Sequence, residues 1–289
     1  TIIEFHFMDP LMTGPTHCFT PDLLQGKRAL DTGGGTGIGR AIAFALAQAG
    51  ADLILAARQL PALQATAKEI ETETGRNVLV TQVDIRSLDS VQALAGFVTE
   101  NGGQVDILVN NAGGQFPQAA ENYSANGWRS IIDLNLNGTW NVTQALGQQM
   151  LKGHGGVICN IIMTIGRGNP GIAHSGAARA GVAELTRSLS YEWGPKVRIN
   201  CLGPGAIITP GMEATYDDDV LSDIGETPIP QPGTPEDVAN GVVFLVSPAG
   251  RFITGETLMV DGGVSRYGSN QALKGSDFGY RTTPGPDWV

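Results

Sequence analysis

The sequence predicts a single α/β domain, in which a doubly wound parallel sheet carries helices on both faces. Three observations support this fold class. Short apolar segments alternate with helical segments along most of the 289 residues, which is the pattern of parallel strands joined by crossover helices. Several strand segments are apolar on both faces, as strands covered on both sides must be. A glycine-rich turn joins the first strand directly to the first helix.

The elements follow one another without a gap large enough for a second domain. The strand-like segments are Arg28–Thr32, Asp52–Ala56, Val78–Gln82, Ile107–Asn110, Val157–Ile162, Arg198–Leu202 and Thr257–Val260. The segments with helical periodicity are Ala41–Ala49, Leu60–Glu73, Ser90–Glu100, Gly127–Leu151 and Ala177–Trp193. A further helix is expected to begin at Thr234, because a Thr N-cap followed by Pro235 and Glu236 is a typical helix start.

One domain accounts for residues 23–266, since neither an internal repeat nor an interdomain linker interrupts the alternation. Residues 1–22 are irregular and contain proline, and we interpret them as an N-terminal arm. Residues 209–233 are also irregular and rich in proline, and we interpret them as a lid within the domain. Residues 267–289 are expected to form a polar C-terminal tail.

Composition and charge argue against several classes of function. Hydrophobic residues make up 42% of the chain and charged residues 16%, which fits a compact enzyme rather than a disordered chain. The net charge of −10 disfavours a nucleic-acid partner, because phosphate binding requires clustered Lys and Arg. No apolar run approaches the ~20 residues of a membrane helix. The first residues, Thr1–Pro10, carry no basic segment and predict no signal peptide.

The three cysteines, Cys18, Cys159 and Cys201, are scattered along the chain. An odd and scattered set predicts no disulfide framework, and we expect a reducing, cytoplasmic location. No Cys/His spacing resembles a metal site, so no metal is expected.

The turn after the first strand reads Thr32-Gly33-Gly34-Gly35-Thr36-Gly37-Ile38-Gly39. Glycines let the backbone approach a pyrophosphate, and the helix N-terminus supplies amide donors and partial positive charge. The position of the cluster between a first strand and a first helix favours a dinucleotide site. A plain glycine-rich turn is the alternative. The candidate cofactor-binding residues here are Gly33, Thr36, Gly37, Ile38 and Gly39.

Arg58 follows the second strand, 19 residues past Gly39. An acidic residue there would bind the 2′-hydroxyl of NAD, whereas an Arg suits the 2′-phosphate of NADP. We therefore predict NADP(H) as the cofactor, with a solvated surface Arg as the alternative.

Further motifs carry a specific resemblance. They are Asp84-Ile85, Asn110-Asn111-Ala112-Gly113, Asn135-Leu136-Asn137-Gly138, Asn200, Pro204-Gly205-Ala206-Ile207-Ile208-Thr209, Ile253-Thr254-Gly255 and Val260-Asp261-Gly262-Gly263. In this order and spacing, residues 24–266 resemble the short-chain dehydrogenase/reductase family. The resemblance implies a Rossmann-type sheet of seven parallel strands and a homotetramer with long helices at the subunit faces.

The resemblance also implies roles for individual residues. The implied cofactor contacts are Asp84 and Ile85 for the adenine, Asn111, Ala112 and Gly113 for the ribose, and Pro204, Gly205, Ile207 and Thr209 for the carboxamide and pyrophosphate side. One position departs from the family, because Asp31 stands where an apolar residue is usual. A carboxylate in a central strand is costly unless it is hydrogen-bonded, and this one would lie close to the pyrophosphate.

The family's catalytic set of Asn, Ser, Tyr and Lys is altered in this chain. Asn135 matches the Asn. At the Ser position, the segment after the fifth strand has Ile162 or Met163, so the hydroxyl is absent unless Thr164 substitutes for it.

On the helix that carries the Tyr and Lys, aligning Arg-Ala-Gly-Val with the usual Lys-Ala-Gly-Val places Arg179 at the Lys and Ser175 at the Tyr. This i, i+4 spacing puts both on one helix face. The segment His174–Val182, with Asn160-Ile161-Ile162 and Gly113-Gly114-Gln115-Phe116, resembles the peroxisomal trans-2-enoyl-CoA reductase branch. The related 2,4-dienoyl-CoA reductases also lack the Tyr. The resemblance implies NADPH-dependent reduction of a C=C bond conjugated to a thioester.

The chemistry independently favours such a reaction. Reduction of a ketone leaves a strongly basic alkoxide, so a positioned acid is valuable. Reduction of an activated C=C bond leaves an enolate, which needs hydrogen-bond donors and can take its proton from water. Arg179 would bind ribose hydroxyls through its forked donors. His174 or Ser175 would donate to the carbonyl oxygen; the alternative for each is a packing role.

The substrate is expected to be a small molecule with a conjugated carbonyl. The sequence leaves open which group is attached to that carbonyl, here called the handle of the substrate. A CoA ester is strongly anionic, yet Gly211–Gly233 contains no Lys or Arg. A free enal, enone or terpenoid is therefore an alternative. Two other functions also remain: an alcohol or ketone dehydrogenase with a substitute proton donor, and a non-catalytic nucleotide-binding protein.

Overall fold

The computed structural model describes residues 18–166, 168–213, 228–229 and 232–267. Seven parallel strands form one sheet in the order β3-β2-β1-β4-β5-β6-β7. They are β1 (Arg28–Thr32), β2 (Asp52–Ala57), β3 (Val78–Gln82), β4 (Ile107–Asn110), β5 (Gly156–Ile161), β6 (Val197–Pro204) and β7 (Thr257–Val260). The prediction of a single-domain, Rossmann-type fold with seven strands is confirmed.

The helices are α1 (Gly37–Gln48), α2 (Leu60–Thr74), α3 (Leu88–Glu100), α4 (Ala125–Ile132), α5 (Gly138–Lys152), α6 (Ala173–Trp193), α7 (Pro210–Glu213), α8 (Pro235–Val246) and α9 (Val264–Tyr267). The helices up to α8 lie in the connections between successive strands, and α9 follows β7. The predicted start of α8 is confirmed. Thr234 Oγ1 accepts from the N–H of Asp237, and the Asp237 carboxylate accepts from the N–H of Thr234, which forms a capping box.

The prediction of one helix over Gly127–Leu151 is wrong in one respect. A π-helical turn at Asp133–Asn137 separates α4 from α5. Such a turn adds a residue to the helix, so it interrupts the regular hydrogen-bond ladder while the chain stays helical, and it is common at functional sites. The Asn135 carbonyl within this turn accepts a hydrogen bond from Thr139 Oγ1 at 2.9 Å.

The sheet is covered on both faces by apolar helices. Helices α1, α2 and α8 pack on one face, and α3, α5 and α6 on the other. Fully buried examples are Ile42, Leu63 and Val242 on the first face and Val142 and Leu108 on the second. Truncating such a Leu or Ile to Ala typically costs about 2–5 kcal/mol. The covered sheet therefore gives the loops at its carboxyl edge a rigid support.

No helix within the described residues is long and apolar enough to cross a membrane. Three predicted segments fall largely outside the described residues: the arm in 1–17, the lid in 214–227 and the tail in 268–289.

Candidate active site

The loops at the carboxyl edge of the sheet bring the predicted cofactor residues together. Strand order reverses at β1, because β2 lies on one side of it and β4 on the other. In an open parallel sheet, ligands bind at this switch point. The glycine-rich turn follows β1 and the segment Asn111–Gly113 follows β4, so both flank the switch point.

The glycine-rich turn has space for a ligand only because its side chains are absent. Gly33 has a φ of +84°, which L side chains rarely adopt. A Cβ on Gly39 would collide with the Gly33 carbonyl oxygen and with Asn111 Nδ2. Helix α1 begins at Gly37, and the first amides of a helix lack intrahelical partners. These residues therefore fit the pyrophosphate of a dinucleotide.

A buried threonine ties the two flanking loops together. Thr32 Oγ1 accepts hydrogen bonds from the N–H groups of Asn111 and Ala112, both at 3.1 Å, and donates to the Val109 carbonyl at 3.3 Å. Asn111 Nδ2 donates to the Thr32 carbonyl at 3.0 Å. The position of the Asn111–Gly113 segment is thus fixed relative to the glycine-rich turn.

The residues predicted for the adenosine end lie after β2 and β3. Arg58 is exposed, and its charge helps to lower the pKa of Asp84. The main cause of that lowering, to about 2, is the hydrogen bond from Arg86, whose Nη2 lies 2.6 Å from Asp84 Oδ2. Ile85 is buried beside Gly138 of α5. Arg58 and Asp84 therefore stand close together at the sheet edge.

The loop after β6 reaches the same site from the other side. The Gly205 N–H donates to the Val260 carbonyl at 2.9 Å, which continues the pairing of β6 with β7. Ile207 is buried and forms a bridge with Gly233. The Thr209 side chain lies 3.7 Å from the position that a Cβ would take on Gly37. The segment thus connects β6 to the glycine-rich turn.

Three of the predicted site residues meet at Gly113. Asn135 is fully buried; its Nδ2 donates to the Gly114 carbonyl at 2.8 Å and its Oδ1 accepts from the Gly114 N–H at 3.1 Å. A Cβ on Gly113 would collide with Arg179 Nη2 and lie 2.9 Å from Asn135 Oδ1. The glycine therefore allows Arg179 and Asn135 to approach the same stretch of backbone.

Arg179 is a buried cation. Its side chain is only 8% exposed, and Nη1 donates to the Ile161 carbonyl at 2.6 Å. Burial lowers its pKa to about 10, so it remains protonated at neutral pH. Among the described residues it has no carboxylate partner. A buried charge without a counter-charge is unfavourable, so the remaining donors suit an oxygen-rich ligand.

Ser175 lies one helical turn before Arg179. Its Oγ donates to Gln115 Oε1 at 2.9 Å and contacts Met163 Sδ at 3.7 Å. Thr164, considered as a substitute for the missing Ser, donates instead to the Pro204 carbonyl at 3.2 Å. The sequence analysis did not predict the contact between Ser175 and Gln115, because it considered Gln115 only as part of the motif Gly113-Gly114-Gln115-Phe116.

His174 is packed between aromatic rings. Its ring stacks on Tyr123 at 4.5 Å and meets the edge of Phe116 at 4.6 Å. Nδ1 accepts from the Ser175 N–H at 2.8 Å, and burial lowers the pKa of the ring, which favours a neutral imidazole with its proton on Nε2. Nε2 is buried and has no partner in the described part of the chain. The ring is therefore packed and also retains one donor.

A cavity of about 430 Å³ lies beside these rings. It is lined by Ala120, Tyr123, Ser124, Ala125, Trp128, Arg129 and Ala173. Tyr123 Oη also donates to the Gly171 carbonyl at 3.1 Å. No sequence motif marked Tyr123 or Arg129, since only the fold brings this segment to the start of α6.

A parallel sheet with a glycine-lined switch point is the arrangement in which dinucleotide-binding proteins hold their cofactor. The chain belongs to the short-chain dehydrogenase/reductase family: residues 33–265 match the family model described as Enoyl-(Acyl carrier protein) reductase.

The relatives include several dienoyl-CoA reductases. The chain is 38% identical to the peroxisomal 2,4-dienoyl-CoA reductase of Rattus norvegicus over 252 residues, which cover 86% of each protein. It is 36% identical to a probable 2,4-dienoyl-CoA reductase of Bacillus subtilis, covering 83% of this chain and 97% of the relative. A solved citronellol catabolism dehydrogenase from Pseudomonas aeruginosa PAO1 is 36% identical with a TM-score of 0.77, covering 87% of this chain and 100% of the other.

Proposed function

We propose that the protein reduces a C=C bond conjugated to a carbonyl and uses NADPH. The main observation that supports this proposal is the buried Arg179 cation beside Gly113 and Asn135, with Ser175 at the position of the family's Tyr. This set offers positive potential and hydrogen-bond donors but no phenolic acid. It suits an enolate better than an alkoxide, because an enolate carbon can take its proton from water.

Each residue of the set has a separate part in this proposal. Bound NADPH supplies the hydride. Arg179 binds the nicotinamide ribose and stabilises negative charge that develops on the substrate's carbonyl oxygen. His174 Nε2 has no partner among the described residues and is a candidate neutral donor to that oxygen. Ser175 can donate to it only by turning its hydroxyl away from Gln115 Oε1, to which it now donates. Asn135 holds the Gly114 backbone, and through it the segment that lines the cofactor.

The cofactor contacts proposed from the sequence stay the same. Arg58 is exposed next to Asp84 at the adenosine end, where a guanidinium can bind a 2′-phosphate through charge-assisted hydrogen bonds. Because Asp84 is already paired with Arg86, Arg58 need not neutralise it. This leaves Arg58 for the phosphate and supports NADP(H) rather than NAD(H).

The cavity beside His174 bears on the substrate's handle. Arg129 lines it together with the aromatic rings of Tyr123 and Trp128. A cation next to aromatic rings suits a phosphate-bearing nucleotide handle, which favours a CoA thioester over a free enal. Arg129 would thus supply the cation that a CoA ester requires and that Gly211–Gly233 lacks.

The deciding experiment is turnover with NADPH on an enoyl-CoA, a 2,4-dienoyl-CoA, a free enal and a ketone. In a parallel reaction, the NADPH carries deuterium at the position of the transferred hydride. The position of the deuterium in the reduced substrate shows which carbon receives the hydride. Deuterium on a former alkene carbon supports the proposal. Deuterium on a carbinol carbon would establish the alcohol or ketone dehydrogenase instead. Binding of NADPH without any turnover would favour a non-catalytic nucleotide-binding protein.

We also propose a homotetramer in the cytoplasm. The family resemblance supports the tetramer, and light scattering at micromolar concentration tests it, since a monomer would contradict it. Cys159 and Cys201 are buried thiols on adjacent strands, which fits a reducing compartment; fractionation of the source cells tests this location.

A further inference from the structure

Asp31 is a buried carboxyl group in the centre of the sheet. It lies on β1, level with Leu55 of β2 and Val109 of β4, and its side chain is 0% exposed. Neither carboxyl oxygen has a hydrogen-bond partner within the described residues. The hydrogen bonds that would offset the cost of burying this carboxyl are therefore absent from the described part of the chain. Burying a carboxyl group without a hydrogen bond lowers the free energy of unfolding. A functional role would explain why this residue is nevertheless present.

The carboxyl lies directly beneath the glycine-rich turn. A Cβ placed on Gly34 would lie 3.1 Å from Asp31 Oδ2 and 3.4 Å from its Cγ. The carboxyl thus lies close to Gly34, within the turn that would hold the pyrophosphate. Because Asp31 is shielded from solvent, a negative charge on it would be weakly screened from a phosphate bound at this turn.

No ion pair with a described cation offsets such a charge. The partly buried Arg198 of β6 instead donates to the carbonyls of Leu245 and Ile253. Leu55 and Val109 flank Asp31 on β2 and β4, and the titratable group of β5 on this face is the Cys159 thiol, which interacts unfavourably with a charged Asp31. Over this face, the charged groups of α1, α2 and α8 are all exposed: Arg40, Lys68, Glu69, Glu71, Glu73, Glu236 and Asp237. Arg40 is already paired with Glu69 of α2.

We propose that Asp31 is a positioning residue of the cofactor site that must be protonated when the dinucleotide binds, so that wherever Asp31 is ionised in the cofactor-free protein, cofactor binding is coupled to the uptake of one proton. The inference rests on the proposed dinucleotide site at the glycine-rich turn. A neutral Asp31 leaves the turn able to accept the two negative charges of the pyrophosphate. An ionised Asp31 places a third negative charge beneath them in a medium of low polarity. Burial also raises the pKa of Asp31 well above its ordinary value, in agreement with this geometry.

The test compares cofactor affinity in wild type, Asp31→Asn and Asp31→Val across a pH series. The measured quantity is the ratio of wild-type to variant Kd for NADPH, from fluorescence titration. Titration of the cofactor's own phosphates is identical in both proteins and cancels in this ratio. We expect a ratio near one at the acid end of the series that rises toward the alkaline end, by up to tenfold per pH unit once Asp31 is ionised in the cofactor-free protein, because binding is then coupled to the uptake of one proton. Asp89→Asn removes one exposed carboxylate from α3 and serves as the matched control, with a flat ratio expected.

Two results would overturn the proposal. A wild-type-to-variant ratio that stays flat with pH shows that Asp31 does not sense the cofactor, while the proposed function stands. Wild type that binds neither NADPH nor NADH at any pH contradicts both the dinucleotide site and this inference. Asp31→Val guards against misfolding of the Asn variant, since an apolar side chain needs no partner in the core. Calorimetric titration in two buffers of different ionisation enthalpy counts the proton directly, and the variants should lose that proton.

Discussion

Arg179 Nη1 donates to the main-chain oxygen of Ile161 at 2.6 Å, at the carboxyl end of β5. This bond anchors the guanidinium on a strand of the central sheet and leaves Nη2 over Gly113. The cation is therefore held rigidly between the end of β5 and the loop after β4. A group positioned in this way stabilises charge without reorganising during the reaction.

The first prediction concerns the relative weight of Arg179 and Ser175. With an enoyl substrate, Arg179→Ala should reduce kcat by about a hundredfold, or ~3 kcal/mol, because it removes the electrostatic contact. Ser175→Ala should reduce kcat only a few-fold, or about 1 kcal/mol, because it removes one neutral hydrogen bond. His174→Ala should fall between them if Nε2 donates to the substrate, and should have little effect if the ring only packs.

The measurement is steady-state turnover with all three variants, each checked for folding by circular dichroism. A pH–rate profile of the wild type should lack a steep rise from a phenol near neutrality, because α6 has no Tyr at the position of Ser175. If Ser175→Ala abolishes turnover while Arg179→Ala is almost silent, the assignment of roles is wrong and Ser175 is the proton donor.

The second prediction concerns cofactor choice. Arg58→Ala should weaken NADPH binding by about 10–150-fold, since one charge-assisted contact contributes ~1.5–3 kcal/mol. NADH binding should change little, because NADH has no 2′-phosphate. Parallel titrations of both cofactors measure this. The control is Arg76→Ala, because Arg76 precedes β3 and so lies at the amino edge of the sheet, away from the proposed site at the carboxyl edge. Equal affinity of the wild type for NADPH and NADH would refute the assignment.

The third prediction concerns Gly113. A methyl group there would collide with Arg179 Nη2 and crowd Asn135 Oδ1. Gly113→Ala should therefore displace the guanidinium and reduce kcat nearly as much as Arg179→Ala. The matched control is Gly96→Ala on α3, where a Cβ meets no atom within 4 Å. A Gly113→Ala enzyme with wild-type kcat would show that the Arg179 position is not needed for turnover.

The fourth prediction distinguishes the two substrate handles. Arg129→Ala should raise KM for an enoyl-CoA about tenfold, the effect of losing one charged contact of ~1.4 kcal/mol. The KM for a short free enal and both kcat values should stay unchanged, because a short enal has no nucleotide group for Arg129 to contact. Arg187→Ala, an exposed cation elsewhere on the surface, is the control. Equal effects on both substrates would contradict a role for Arg129 in holding the CoA group.

The fifth prediction concerns stability. Burial raises the pKa of Asp31 above its ordinary value of 3.8, so over the pH range between these two pKa values the folded protein holds a proton that the unfolded chain releases. Stability of the wild type should therefore fall as pH rises above about 4, by up to ~1.4 kcal/mol per pH unit from this group. Asp31→Val should lack this contribution and unfold at higher urea concentration at neutral pH. Urea unfolding at several pH values measures both effects, and identical pH dependence in the two proteins would contradict them.

The sequence by itself determined the order of strands and helices, the glycine-rich turn and the cap at Thr234. These features depend on local spacing, because hydrophobic periodicity, glycine placement and capping act within a few residues of the chain. The alignment of Arg179 and Ser175 on one helix face also followed from spacing alone, since both lie on α6.

Only the tertiary structure decided which side chains meet. Gln115 reaches Ser175 across 60 positions of sequence, and Tyr123 stacks on His174 across 51. The missing partners of Asp31 are likewise a property of the packed sheet, as the sequence shows the carboxyl but not what surrounds it. Such contacts depend on how strands and helices pack, and side-chain packing in a dense interior is a collective result that no local pattern encodes.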